Sequence, residues 1–161
     1  MSELMYSGRD RRFYTAIVYD KCSWIGETVE LNLGGNLSAG VRDKEDGGWY
    51  NTTTGYYWRK GNIENPTPRA YHNCQVALHF NIVRLGEAYM NLAEAYLLKH
   101  DVPNAVKALN MTRTIHGGLS ESTAATEEEA WTDYIRERNC ELTNEGGDIY
   151  YSYLRWGKYG G

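Results

Sequence analysis

Arg84, Glu87, Asn91 and Glu94 follow one another at steps of three, four and three residues. On a helix those steps place all four on one face, a stripe of one cation, one amide and two carboxylates. Arg136, Arg138 and Glu141 form a second polar cluster further along. Paired carboxylates can hydrolyse glycosidic bonds. That chemistry needs two carboxyls about 5–5.5 Å apart for retention, or about 6.5–9.5 Å for inversion, flanking an open cleft. Nothing in the spacing identifies such a cleft, and no catalytic residue is assigned. Taken alone, the stripe reads as a solvated helix face.

A different chemistry is suggested by GGWYNTTTGYYWRKG, residues 47–61, in which Trp49, Tyr50, Tyr56, Tyr57 and Trp58 crowd together. Trp49 and Tyr50 sit between Asp46 and Asn51 with glycines beside them. An aromatic ring can stack on the apolar face of a pyranose while Asp and Asn side chains meet its hydroxyls. Asp46, Trp49, Tyr50 and Asn51 are therefore the candidate ligand contacts, with Trp24 in CSWIGE as a further one. Tyr56, Tyr57 and Trp58 alternate along a short β-like run, which buries at least one ring, and they read as structural. Trp131 and Trp156 read as core.

Composition narrows the partners. The 161 residues hold 14 Tyr and 5 Trp against 2 Phe, a skew toward rings with one polar edge. Net charge is −4 and no basic block occurs, which argues against a phosphate-tracking nucleic-acid surface. His72, His79, His100 and His116 show no metal-ligand spacing, and no phosphate loop is present. No cofactor and no metal are expected. Cys22, Cys74 and Cys140 have no zinc-type spacing and read as free thiols. No run approaches the ~20 apolar residues that span a bilayer.

The elements that must hold these residues divide near residue 80. Residues 1–80 read as a loop-rich layer with short strands at Phe13–Tyr19, Thr28–Leu33 and Gly55–Arg59, punctuated by glycine pairs. Residues 81–161 read as helical. Ile82, Leu85, Tyr89, Leu92, Ala93, Tyr96 and Leu97 predict a helix over 82–99. Asp101 caps a second helix with Pro103 in its first turn. Thr126 and Glu129 form a capping box for a third, over 127–144, and DIYYSYLRW adds a last short turn. The first two make an αα-hairpin of tetratricopeptide type. The fold class is mainly α, a tetratricopeptide-like hairpin plus an irregular loop-rich layer. A lone hairpin needs neighbours to bury both faces, so the chain looks like part of something larger.

IVRLGEAYMNLAEAYL (82–97), YIRERNCELTNEGG (134–147) and YLRWGKYGG (153–161) together resemble the SusD/RagB family. The matching positions are Arg84, Glu87, Ala93-Glu94-Ala95, Arg136-Glu137-Arg138, Glu141-Leu142, Glu145-Gly146 and Arg155-Trp156-Gly157. RDRRFYTAIVYD (9–20) and TTTGYYWRK (52–60) also look like segments of that family, although Arg11 or Arg12 stands where the family pattern has Pro. The resemblance covers the C-terminal part of much longer proteins, so a C-terminal fragment is expected.

The resemblance implies a surface glycan-binding lipoprotein of the outer membrane, facing outward. It would bind oligosaccharide and deliver it to a TonB-dependent SusC-type transporter, without cleaving it. Its lipid anchor would lie outside this chain. The resemblance also implies that Arg84, Glu87, Glu94, Arg138 and Glu141 form a structural ionic network. Two other readings compete: a helical-repeat module that binds protein or peptide, and, more weakly, a glycoside hydrolase fragment.

Overall fold

The computed structural model describes residues 2–31, 35–36, 52, 54–62 and 81–157. By its internal contacts the chain falls into two compact units, Met1–Arg9 with Tyr14–Leu78, and Asp10–Phe13 with His79–Gly161.

In the second unit local signals set the helices. Helix α3 (Leu85–Leu98) places Gly86, Met90, Ala93, Glu94 and Leu97 on its buried face. It closes where His100 takes a left-handed φ of 58° and the Asp101 N–H returns to the Tyr96 carbonyl at 2.9 Å. Asp101 then caps α4 (Val102–Ile115) by accepting from the Asn104 N–H, with Pro103 in the first turn. Helix α5 (Glu127–Glu141) opens on the capping box of Thr126 and Glu129, both of whose bonds are made.

These three helices share one core of Met90, Ala93, Leu97, Ala105, Ala108, Leu109, Ala130 and Tyr134. Alanines at the α3–α4 contact allow close approach of the hairpin arms. Trp131 and Trp156 are partly buried against this core, edge to face with each other and with Tyr134.

Three helix boundaries differ from the sequence reading. Helix α3 starts at Leu85 rather than Ile82, and Ile82, Leu85 and Leu92 of the expected apolar face are exposed. Helix α5 stops at Glu141 rather than near 144, because Asn144, Gly146 and Gly147 all adopt left-handed φ. Residues Asp148–Arg155 make a full eight-residue helix, α6, rather than a short turn. Its Asp148 and Ser152 are drawn to Arg138 of α5.

The first unit is built from short pieces. Helix α1 spans Ser2–Tyr6, and α2, Arg11–Ala16, whose first three residues belong to the second unit, runs into strand β1, Ile17–Val18. The strand expected over Phe13–Tyr19 is thus a helix for half its length. Asp10 decides this: its carboxylate accepts the Arg12 N–H at 2.8 Å and its carbonyl the Phe13 N–H at 2.9 Å, closing a helical turn.

Strand β1 pairs with β4, Tyr57–Trp58, in the register Ile17↔Trp58 and Val18↔Tyr57. Strands β2, Ser23–Trp24, and β3, Glu27–Thr28, form a hairpin. Its turn residues Ile25 and Gly26 both have positive φ, as a tight primed turn requires. Thr28–Leu33 therefore contributes only its first residue to a described strand, and 32–34 lie outside the described residues.

A small cluster of Val18, Cys22 and Val29 is flanked by Tyr19, Trp24, Leu31 and Tyr57. The expected anchoring role splits within one strand. Tyr57 packs on the cluster, while Trp58 is 48% exposed. Cys22 and Cys140 are free thiols; Cys74 lies outside the described residues.

Candidate functional site

The strongest concentration of chemistry among the described residues is a double ionic nest around α5. Its first half centres on Glu94 of α3. Arg155 of α6 grips that carboxylate with Nε and Nη2 at 2.9 and 2.7 Å, a two-pronged fit. The Trp156 indole N–H donates to Oε1 at 3.0 Å and the Tyr134 hydroxyl to Oε2 at 2.6 Å. Arg138 adds charge at 3.6 Å from Glu94. It donates to Asn91 and Tyr134 and turns the rest of its fork to Asp148 and Ser152. Burial pushes the Glu94 carboxyl upward, but the bonds from Arg155, Tyr134 and Trp156 outweigh it, and the group is held below its ordinary value. The Tyr134 phenol is driven far upward by burial and by its bond to Glu94.

The second half centres on Glu137 and Glu141, one helical turn apart on α5 and almost wholly buried. Arg12 bridges them: Nη1 donates to Glu137 at 2.5 Å and to Glu141 at 2.9 Å, while Nη2 reaches Asp10 at 2.6 Å. Thr112 of α4 donates to Glu137 at 2.7 Å. The other Glu141 oxygen meets Arg84 Nη1 and His116 Nδ1, the latter at 2.8 Å. Arg84 also donates to Glu145 and to the Glu141 carbonyl, satisfying one of the open carbonyls at the end of α5. Burial raises the Glu141 carboxyl, but its bonds to Arg84, Arg12 and His116 pull it below the ordinary value. Gly86 leaves room for this pairing, because a methyl at that position would force the tips of Glu141 and Arg84 to shift.

The structure thus brings Arg84 to Glu141 and Glu94 to Arg138. Glu87 enters no ion pair among the described residues; it lines a cleft of about 280 Å³ with Arg84, Glu145, Asp148 and Tyr151. Arg136 is exposed and, among the described residues, its one ion pair is with Asp133, at 3.8 Å. Sequence spacing missed Arg12, Asp10, Tyr134, His116, Asp148 and Arg155 as members. The family segments already quoted contain all of these except His116 and Asp148.

Of the aromatic candidates, Trp24 stands in β2 opposite Glu27, half-buried against Val18, Cys22 and Val29. Its indole N–H is buried and finds no acceptor among the described residues. Asp46, Trp49, Tyr50 and Asn51 lie outside the described residues. No group of three or more metal-binding side chains occurs among the described residues, and no described helix is long and apolar enough to cross a membrane.

Buried carboxylates locked by Arg, Tyr, Trp, Thr and His donors are a means of fastening helices together. The same segments that supply them match known proteins. No functionally curated protein is significantly similar to the chain. A SusD-like protein of Bacteroides fragilis shares its fold with a TM-score of 0.78 and 29% sequence identity; the match covers 95% of this chain and 29% of that protein. The chain therefore spans under a third of that relative's length. The sequence model of the SusD family matches residues 2–160, and the chain belongs to that family.

Proposed function

We propose that this SusD-family chain binds oligosaccharide at the outward face of the outer membrane and serves its delivery to a TonB-dependent SusC-type transporter. The family match over residues 2–160 carries the reading. The Tyr and Trp excess supports it, because such rings offer stacking surface with a polar edge. The sugar contacts would be Trp49 and Tyr50 with Asp46 and Asn51, with Trp24 as a further one. The role is binding rather than cleavage. Glu94, Glu137 and Glu141 are buried and held by multiple donors, whereas hydrolysis needs a carboxyl that can reach a glycosidic oxygen. In this reading Arg84, Glu94, Arg138 and Glu141 serve the scaffold, and Glu87 stands at its edge.

The test is a glycan array probed with the purified chain, followed by titration of the best oligosaccharide into wild type and Trp49→Ala. Retention of a defined glycan class, weakened by the substitution, is the expected result. Absence of retained glycan across neutral and acidic polysaccharide fragments would overturn the reading.

A further inference from the structure

Glu87 is the one member of the helical stripe whose side chain enters no ion pair or hydrogen bond among the described residues. It stands in the cleft of about 280 Å³ formed by the approach to α3, the end of α5 and the start of α6. Asn81, Ile82, Val83 and Tyr151 line the same cleft, and all four are exposed. The Tyr151 ring is the most open aromatic of α6, at 62%. Gly147 places no side chain against it, where a Cβ would lie 3.4 Å from Cε2.

The polar groups of this cleft divide into spent and open ones. Arg84 commits its fork to Glu145, to Glu141 and to the Glu141 carbonyl. Asp148 is held by Arg138 and Ser152. The side chains of Asn81, Glu87 and Tyr151 make no hydrogen bond among the described residues. They offer an amide that donates and accepts, a carboxylate that accepts, and a hydroxyl that does either. Sugar hydroxyls match that mixture, because each one both donates and accepts. The open phenol ring supplies a flat surface for the CH side of a pyranose. A guanidinium would match Glu87 but leave the Asn81 donor unused. Charge narrows the sugar further. Glu87, Glu145 and Asp148 face one cation, Arg84, which is already shared with Glu141. An acidic sugar would set like charge against Glu87. A cleft near the ~300 Å³ lower end of small-ligand sites holds one ring rather than a chain.

We propose that this cleft is a second saccharide site, which takes one uncharged pyranose residue. Its CH face lies on Tyr151, its hydroxyls meet Asn81 and Glu87, and its neighbours in the glycan stay outside the mouth. Glu87 turns acidic sugars away. The site uses none of the residues assigned to glycan contact above. It rests on that reading for its ligand class and extends it to the helical unit.

The probes are methyl glucoside, methyl galactoside and methyl mannoside, with glucuronate and N-acetylarginine amide as controls. Each is titrated at millimolar concentration into the full 161-residue chain, and residue-resolved NMR follows the Asn81 side-chain amide and the Tyr151 ring. At least one neutral glycoside should shift both signals. Glucuronate should bind about tenfold more weakly or worse, and Glu87→Gln should narrow that gap. Tyr151→Ala should weaken the glycoside about fivefold or more, by analogy with rings stacked on bases. Its melting temperature should stay near wild type, because the ring is largely exposed. The inference is overturned if no neutral glycoside moves either signal, if glucuronate binds equally well, or if the arginine amide alone binds. These outcomes are read apart from the Trp49 titration. A glycan retained on the array that leaves Asn81 and Tyr151 unmoved overturns the second site and leaves the first. Signals that move while Trp49→Ala keeps full affinity support the second site and remove the first.

Discussion

Arg12 and Glu137 stand 125 residues apart in the chain and meet through two guanidinium–carboxylate bonds, at 2.5 and 3.1 Å. The same guanidinium spans Asp10 and Glu141, and its side chain is only 11% exposed. A short segment at the beginning of the chain, Asp10–Phe13, is thereby fastened to the helical unit. The Arg11 N–H adds a bond to the Gly117 carbonyl at 3.0 Å. Desolvation opposes the charge on Arg12, and the three carboxylates around it more than offset that cost.

Arg12→Met should therefore cost on the order of 3–5 kcal/mol, because it leaves Glu137 buried without its cation. Arg12→Lys should recover only part of the loss, since an ammonium cannot fork across three carboxylates. Urea titration of the three proteins checks this. Equal midpoints for wild type and Arg12→Met would show that the buried pair contributes nothing.

Acid should weaken the fold through Glu94 and Glu141. Both carboxyls are held below their ordinary value in the folded chain, so the unfolded chain takes up protons first as pH falls. Their stabilisation is present above the unfolded carboxyl value of about 4.3 and is lost as pH drops through the lower folded values. Melting temperature measured from neutral to strongly acidic pH should fall steeply in that window for wild type. The slope should be shallower for Glu141→Gln, whatever its absolute stability. An identical slope would remove Glu141 from the account.

Tyr134 and Trp156 share one acceptor, Glu94. Tyr134→Phe keeps the ring in the core but deletes the hydroxyl that gives to Glu94 and receives from Arg138 at 3.0 Å. It should cost about 1–3 kcal/mol by leaving a buried polar group short of a partner. Trp156→Phe should act on the same carboxylate. The double variant should therefore depart from the sum of the singles by ~0.5 kcal/mol or more, whereas independent sites add. A thermodynamic cycle built from chemical denaturation reads the coupling directly.

Trp49→Ala and Trp131→Ala should behave as opposites. Trp131 packs on the helical core, and its loss should lower stability by about 3 kcal/mol or more. Trp49 as a stacking platform would leave the melting temperature near wild type and weaken oligosaccharide binding by ~1–3 kcal/mol, by analogy with rings stacked on nucleic-acid bases. Calorimetric titration alongside thermal melts separates the two. A large stability loss at Trp49 with unchanged affinity would make that ring part of the packing.

What the sequence determined by itself is whatever acts within a few residues. The Asp101 cap, the Thr126–Glu129 box and the apolar spacing of 82–97 are interactions across one or two turns, and the helices they imply are present. Helix α3 nonetheless begins at Leu85, and Ile82, Leu85 and Leu92 of the expected apolar face are exposed. The order of several short motifs also identified the family, because ordered spacing along a chain is itself a sequence property. Only the tertiary structure decided which charges meet. Arg84, Glu87 and Glu94 lie on one stripe, yet Arg84 reaches Glu141, Glu94 is held by Arg155, and Glu87 faces a cleft. Arg136 and Arg138 are two residues apart, and one is exposed while the other is buried among Asn91, Tyr134 and Asp148. The conformation of residues 11–16 turned on Asp10 closing a helical turn, which a β-like run of Phe, Tyr, Ile and Val concealed. Periodicity tells which face a residue occupies, but an ion pair depends on what the folded chain brings opposite that face. For Arg12 the partner lies 125 positions away, and no local pattern carries that information.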